Sequence, residues 1–183
     1  GDDFVLGHQV GPDSPEMQAM ALAMDRQLAD FFNFLGHQVG LANIWIALSA
    51  DHGVAPLPAA AAKLRIPAAN LTANALRKQM NAALSTKFGK QEEYVQAFDY
   101  PLAWLNEDAF SLAKVKEEDA EHAVGEAMKQ VGLRGYYTKS QLAQFRTPNT
   151  EEGEKYAHSY SPLGGWYVMG IPAPFTVGTA AGT

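Results

Sequence analysis

A chain of 183 residues with 47% hydrophobic content is long enough to bury a core, as one domain or two small ones. Its net charge is −6 and its basic residues are scattered, which argues against a nucleic-acid groove. Cysteine is absent, so disulfides and thiolate metal sites are excluded, and any metal must be held by histidine and carboxylate. No apolar run approaches ~20 residues, so none is read as a membrane-spanning helix. No signal-peptide pattern opens the chain, which begins inside a motif and reads as an excised piece.

The opening, G-D-D-F-V-L-G-H-Q-V-G-P-D-S-P-E-M, leads into a helix start: Ser14 suits the N-cap, Pro15 the first turn, and Glu16 the positive end of the dipole. Met17, Met20, Met24, Leu28, Phe31 and Leu35 recur at helical spacing. That stripe reads as core packing rather than a metal or cofactor box, and Gly36 reads as its stop. The hexapeptide L-G-H-Q-V-G occurs at Leu6 to Gly11 and again at Leu35 to Gly40. The first copy precedes a helix and the second follows one, so the repetition reads as coincidence and His37 as a solvated cap.

Ile44 to Gly53, I-W-I-A-L-S-A-D-H-G, is the stretch around which the rest is organised. Continuous apolar and β-branched residues predict a strand buried on both faces. Asp51 and His52 then fall just past its carboxyl end, where open α/β sheets bind ligands. A carboxylate beside an imidazole can hold a divalent cation, or can simply cap and satisfy a loop.

Beyond Gly53 the text is first proline-punctuated connection, with the Ala59 to Ala62 run read as packing. Leu71 to Phe88 predicts an amphipathic helix through Leu76, Met80 and Leu84, stopped by Gly89. Glu93 to Phe98 and Leu102 to Leu105 read as strands joined by a turn at Asp99 to Pro101. Lys116 to Val131 is a second amphipathic helix, with His122 on its surface, followed by a short strand at Gly135 to Thr138 and a short helix at Lys139 to Phe145. Arg146 to Ser161 reads as polar loop, with His158 exposed rather than lining a cleft. Gly164 to Ile171 reads as an aromatic-weighted strand and Thr176 to Thr183 as small and flexible. Helix, strand, strand, helix, strand predicts a small α+β sandwich of ferredoxin-like kind.

The opening motif together with S-A-D-H-G-V-A-P-L-P resembles the alkaline phosphatase superfamily, in its type I phosphodiesterase and nucleotide pyrophosphatase branch. There an Asp and a His shortly before Gly-Pro-x-Ser-x-Glu hold one zinc, and the later Asp-His contributes to a second. The resemblance implies His8 with Asp3 at one metal, and Asp51 with His52 at the other. It departs at Phe4, which stands where the family places its Asp; Asp3 is one residue further from His8, so a one-residue bulge would have to deliver it. The implied fold is α/β, a partial alkaline-phosphatase-like core (residues 1–58) with the small α+β subdomain inserted (59–160). Residues 161–183 would return toward that core.

What the resemblance implies functionally is a two-metal phosphoric ester hydrolase, with two divalent ions, zinc by family habit, clamping a phosphoryl group of a small phosphate ester or nucleotide. A periplasmic or secreted location goes with it. The family's Thr or Ser nucleophile and its last metal-binding histidine have no counterpart in context here. The isolated chain is therefore expected to be inactive, and its metal sites weak or empty. The competing reading is a non-catalytic binding or interaction module built on the inserted α+β unit.

Overall fold

The structure, a computed structural model, describes the backbone of residues 2–50 and 53–179 and the side chains of 6–50 and 53–178. It divides into two compact units, Gly1–Ala68 and Ala69–Thr183.

The first unit is helical. Helix α1 (Asp2–Val10) precedes α2 (Pro15–Gln38). The start of α2 is built as its sequence requires: Ser14 Oγ accepts the Met17 N–H at 3.2 Å, with Pro15 in the first turn. The helix runs past Gly36 to Gln38, so His37 stands in its last turn and not in a helix-to-strand turn. The repeated hexapeptide is not a structural coincidence. Each copy ends a helix: Gly11 and Gly40 adopt φ of 84° and 79°, and each donates its N–H to the glycine four residues earlier at 3.1 Å. Glycine is needed at both because a left-handed turn costs residues with a Cβ.

Two expectations fail in this unit. The apolar stripe of α2 is not core, since α2 has no buried residue and Phe31 is 52% exposed. Its first turn meets α1 through Met17 and Gly7, and Gly36 meets Leu41, but its length lacks a facing layer among the described residues. Ile44 to Ala50 is not a buried strand either. It follows a 3-10 turn (Leu41–Asn43) as unpaired backbone, with Trp45 100% and Leu48 98% exposed. A buried strand needs neighbours for its backbone groups as well as for both faces; the described residues supply neither. The alanine run is α3 (Pro58–Lys63), with Ala61 fully buried.

The second unit opens with strand β1 (Ala69–Thr72), so α4 (Ala73–Phe88) starts two residues later than its periodicity predicts. Strands β2 (Val95–Asp99) and β3 (Leu102–Leu105) follow, then α5 (Glu107–Leu112), α6 (Glu117–Gln130), β4 (Gly135–Thr138) and α7 (Lys139–Ala143). The polar stretch read as loop contains α8 (Glu151–His158). Its signal was present: Thr150 Oγ1 accepts the Gly153 N–H at 3.1 Å, and Glu151, Glu152 and Glu154 complement the dipole in the first turn. His158 is exposed, in the last turn of that helix. Strand β5 (Val168–Ile171) and β6 (Thr176–Thr179) end the unit. The segment read as small and flexible thus begins with a strand, β6, which pairs in parallel with β1.

The main sheet is antiparallel in the order β2-β3-β5-β4. Strand β5, read as returning toward the core, lies inside this sheet. Followed from β5 onward as β5, α4, β2, β3, α6, β4, the sheet has the split βαβ arrangement of a ferredoxin-like unit. Its first strand comes last in the chain.

Helices α4 and α6 cover one face of the sheet, as their stripes predict. Met80, Leu84, Val124 and Met128 are buried there with Tyr94, Val95 and Val168. Phe88, Tyr94 and Phe110 stack with centroids 5.0–5.8 Å apart, each pair adding about 1 kcal/mol beyond its buried area. Asn81 fixes α4 to the edge strand: its Oδ1 accepts the Val95 N–H at 2.7 Å and its Nδ2 donates to the Val95 carbonyl at 3.1 Å. The opposite face is covered by Leu142 of α7, Tyr156 of α8 and Trp166, over Tyr137, Met169 and Ile171.

Candidate metal centre

Of the four residues named as metal ligands, Asp51 and His52 lie outside the described residues, as does the side chain of Asp3. His8 is exposed on α1. The amino-terminal motif is carried by helix α1. Among the described residues no three His, Asp or Glu side chains gather as a metal-binding group. Asp51, His52 and the side chain of Asp3, three of the four named donors, lie outside the residues to which that absence applies.

The second unit carries polar features that periodicity could not show. Tyr167 donates to Glu107 across the α5–β5 gap, and that bond, with burial and the charges of Glu107, Glu117 and Glu121, pushes the phenol up to about 12. Lys139 Nζ lies 4.9 Å from the centroid of the same ring and donates to the Gly164 carbonyl at 3.2 Å. A cleft of about 150 Å³ opens between Glu107, Glu117 and Tyr167 over a floor of Leu105, Phe110 and Ala120.

On α6, His122 Nδ1 lies 3.1 Å from the Tyr136 hydroxyl, which donates to Glu126 at 3.2 Å. His122 is exposed, as expected for a surface residue. Its neighbour Glu121 is fully buried. Glu121 Oε2 accepts the Ser140 N–H at 3.3 Å, whereas Oε1 has no partner. Burial pushes this carboxyl up from the usual glutamate range, outweighing the Ser140 and Thr138 groups that pull it down, and Glu117 adds to the rise. A fully buried polar residue in an apolar helix face is read from sequence as a surface position, because neither its partners nor its burial is local.

Comparison with known proteins agrees with the α/β fold. Residues 5–162 match the family model described as type I phosphodiesterase / nucleotide pyrophosphatase. The chain is 34% identical over 128 residues to alkaline phosphatase PafA of Elizabethkingia meningoseptica, covering 70% of this chain and 23% of that protein. It is 45% identical over 56 residues to alkaline phosphatase PhoV of Synechococcus elongatus, covering 31% of this chain and 10% of that one. The crystal structure of wild-type alkaline phosphatase PafA shares the fold, with a TM-score of 0.78 at 24% identity over 96% of this chain and 33% of that chain. The chain thus spans about a quarter of the length of the first of these relatives. The chain belongs to the type I phosphodiesterase / nucleotide pyrophosphatase family of the alkaline phosphatase superfamily.

Proposed function

We propose that this chain is the part of a metal-dependent phosphate ester hydrolase that carries the later Asp-His motif and an inserted α+β unit. Its substrate would be a small phosphate ester or nucleotide. The observation carrying this reading is the family match over residues 5–162, which contains His8, the Gly11–Glu16 stretch and the Asp51–His52 motif but not Asp3. Asp51 and His52 are proposed as ligands of one divalent ion, zinc by family habit. Asp3 and His8 are proposed as ligands of the second. In the whole protein such ions would supply a Lewis acid at the phosphoryl group. This chain's own share would be to position carboxylate and imidazole donors.

Residues 1–58 are proposed as a contribution to the larger α/β core, 59–160 as the insertion and 161–183 as the return, with β5 belonging to the insertion's sheet. The exposed apolar side chains of α2 and of Trp45, Ile46 and Leu48 support a larger core, since soluble proteins rarely leave contiguous apolar surface of that kind uncovered. A periplasmic or secreted location is proposed on the family resemblance. Among the described residues no helix is long and apolar enough to cross a membrane.

The test is an assay of the purified chain with zinc on an aryl phosphomonoester and an aryl phosphodiester. No turnover at enzymic rates is expected, because no positioned nucleophile accompanies the motif. A longer protein containing the chain should turn over, and His52→Ala should abolish that activity. Zinc-dependent turnover by the chain alone, lost in His52→Ala, would overturn the view that the nucleophile lies elsewhere. Full activity of the long protein after His52→Ala would overturn the metal assignment.

A further inference from the structure

Glu121 is the one charged side chain that is buried among the described residues. It lies on α6 against the junction of β4 and α7, where Thr138 and Ser140 are its polar neighbours. The titratable and charged groups around it are Glu117, Glu118 and His122 on α6, Glu107 on α5, Tyr167 ahead of β5, Lys139 on α7 and Arg146 beyond it. None forms a salt bridge with Glu121, and the Lys139 ammonium is engaged over the Tyr167 ring and on the Gly164 carbonyl. The carboxyl has thus been moved out of water without a counter-charge and with one oxygen unpartnered.

Burying a neutral carboxylic acid in that setting costs a few kcal/mol at most, whereas an unpaired carboxylate costs far more. The closed packing therefore favours the neutral acid. Thr138 and Ser140, the polar neighbours of Glu121, also line a polar cleft of about 140 Å³ with Glu118, His122, Gln144 and Arg146. That volume admits a few waters at ~30 Å³ each. One wall of the cleft is α7, a helix of five residues. It is held by the reciprocal Thr138–Gln141 cap, by Leu142 in the apolar cluster, and by the Glu121–Ser140 bond.

We propose that Glu121 is a pH-operated latch for α7. Protonated, it closes α6 against the β4–α7 junction; ionised, it draws water through the cleft and loosens α7 from α6. Release moves one proton from the Glu121 carboxyl to solvent, so each pH unit above the point of ionisation favours the open form by up to about tenfold.

The experiment is amide hydrogen exchange by NMR on the whole 183-residue chain between pH 5 and 8.5, with each rate divided by its intrinsic value. Protection at residues 140–144 should fall with rising pH while that of β3 stays constant. In Glu121→Gln, which keeps the shape and cannot ionise, protection should be high and flat. A flat wild-type profile, or an unchanged slope in Glu121→Gln, would overturn the latch. A carbon-detected titration of the Glu121 carboxyl in the wild type needs no variant: a midpoint above the other glutamates is expected, and one among them would overturn it.

Discussion

The ring of Tyr136 on β4 lies directly over Gly125 on α6, so close that a Cβ at position 125 would overlap three ring carbons. This contact sets how near α6 comes to the sheet, and it explains a glycine in mid-helix, where the residue otherwise costs up to ~1 kcal/mol. Gly125→Ala should therefore destabilise the second unit by about 1–3 kcal/mol, the scale of overpacking, despite alanine's better helix propensity. Urea denaturation of the variant reads this directly. Adding Tyr136→Leu should recover part of the loss, because the overlapping ring is removed.

Alkaline stability should depend on two phenols. Tyr136 and Tyr167 are each pushed up to about 12, Tyr136 first by burial and Tyr167 first by its bond to Glu107. A raised phenol keeps its proton in the folded state after the unfolded chain has lost it. Their stabilising contribution is full below ~10, the unfolded value, and is lost as pH rises toward 12. Denaturant midpoints should fall steeply between pH 10 and 12 in the wild type, and less steeply in the Tyr136→Phe, Tyr167→Phe double variant.

Zinc binding to the isolated chain should be weak. Asp51 and His52 are adjacent in the chain and can meet one ion at little entropic cost, whereas His8 is exposed on a helix. Two ligands are short of the four that a closed zinc site uses. Titration calorimetry should show low affinity, reduced more by His52→Ala than by His8→Ala. Tight binding most sensitive to His8→Ala would mean that the amino-terminal site is the better formed.

Residues 69–179 should fold without the first unit. Their sheet, both covering layers and the β1–β6 pairing are drawn from that segment alone, and Tyr100 packs on Gly178 to hold β6. An excised 69–179 should give a single cooperative urea transition close to that of the whole chain's second unit. A noncooperative loss of signal would show that the first unit is required.

What the sequence by itself determined were the features whose cause is local or whose partners lie nearby in the chain. Ser14 caps α2 because its hydroxyl reaches an N–H three residues on, whereas Gly40, and not the predicted Gly36, proved to be the glycine beyond its end. The stripes of α4 and α6 found the sheet predicted for them, since β2, β3 and β4 lie within the same unit. The same reasoning failed for Met24, Phe31, Trp45 and Leu48. An apolar pattern states which surface gains by leaving water, but not whether a covering layer is present. Only the tertiary structure decided that β5, last to arrive, takes an inner position in the sheet. It alone also decided that Glu121, one residue from an exposed histidine on the same helix, is buried without a counter-charge. Both depend on backbone and side-chain partners tens of residues away, and neither periodicity nor propensity carries that information.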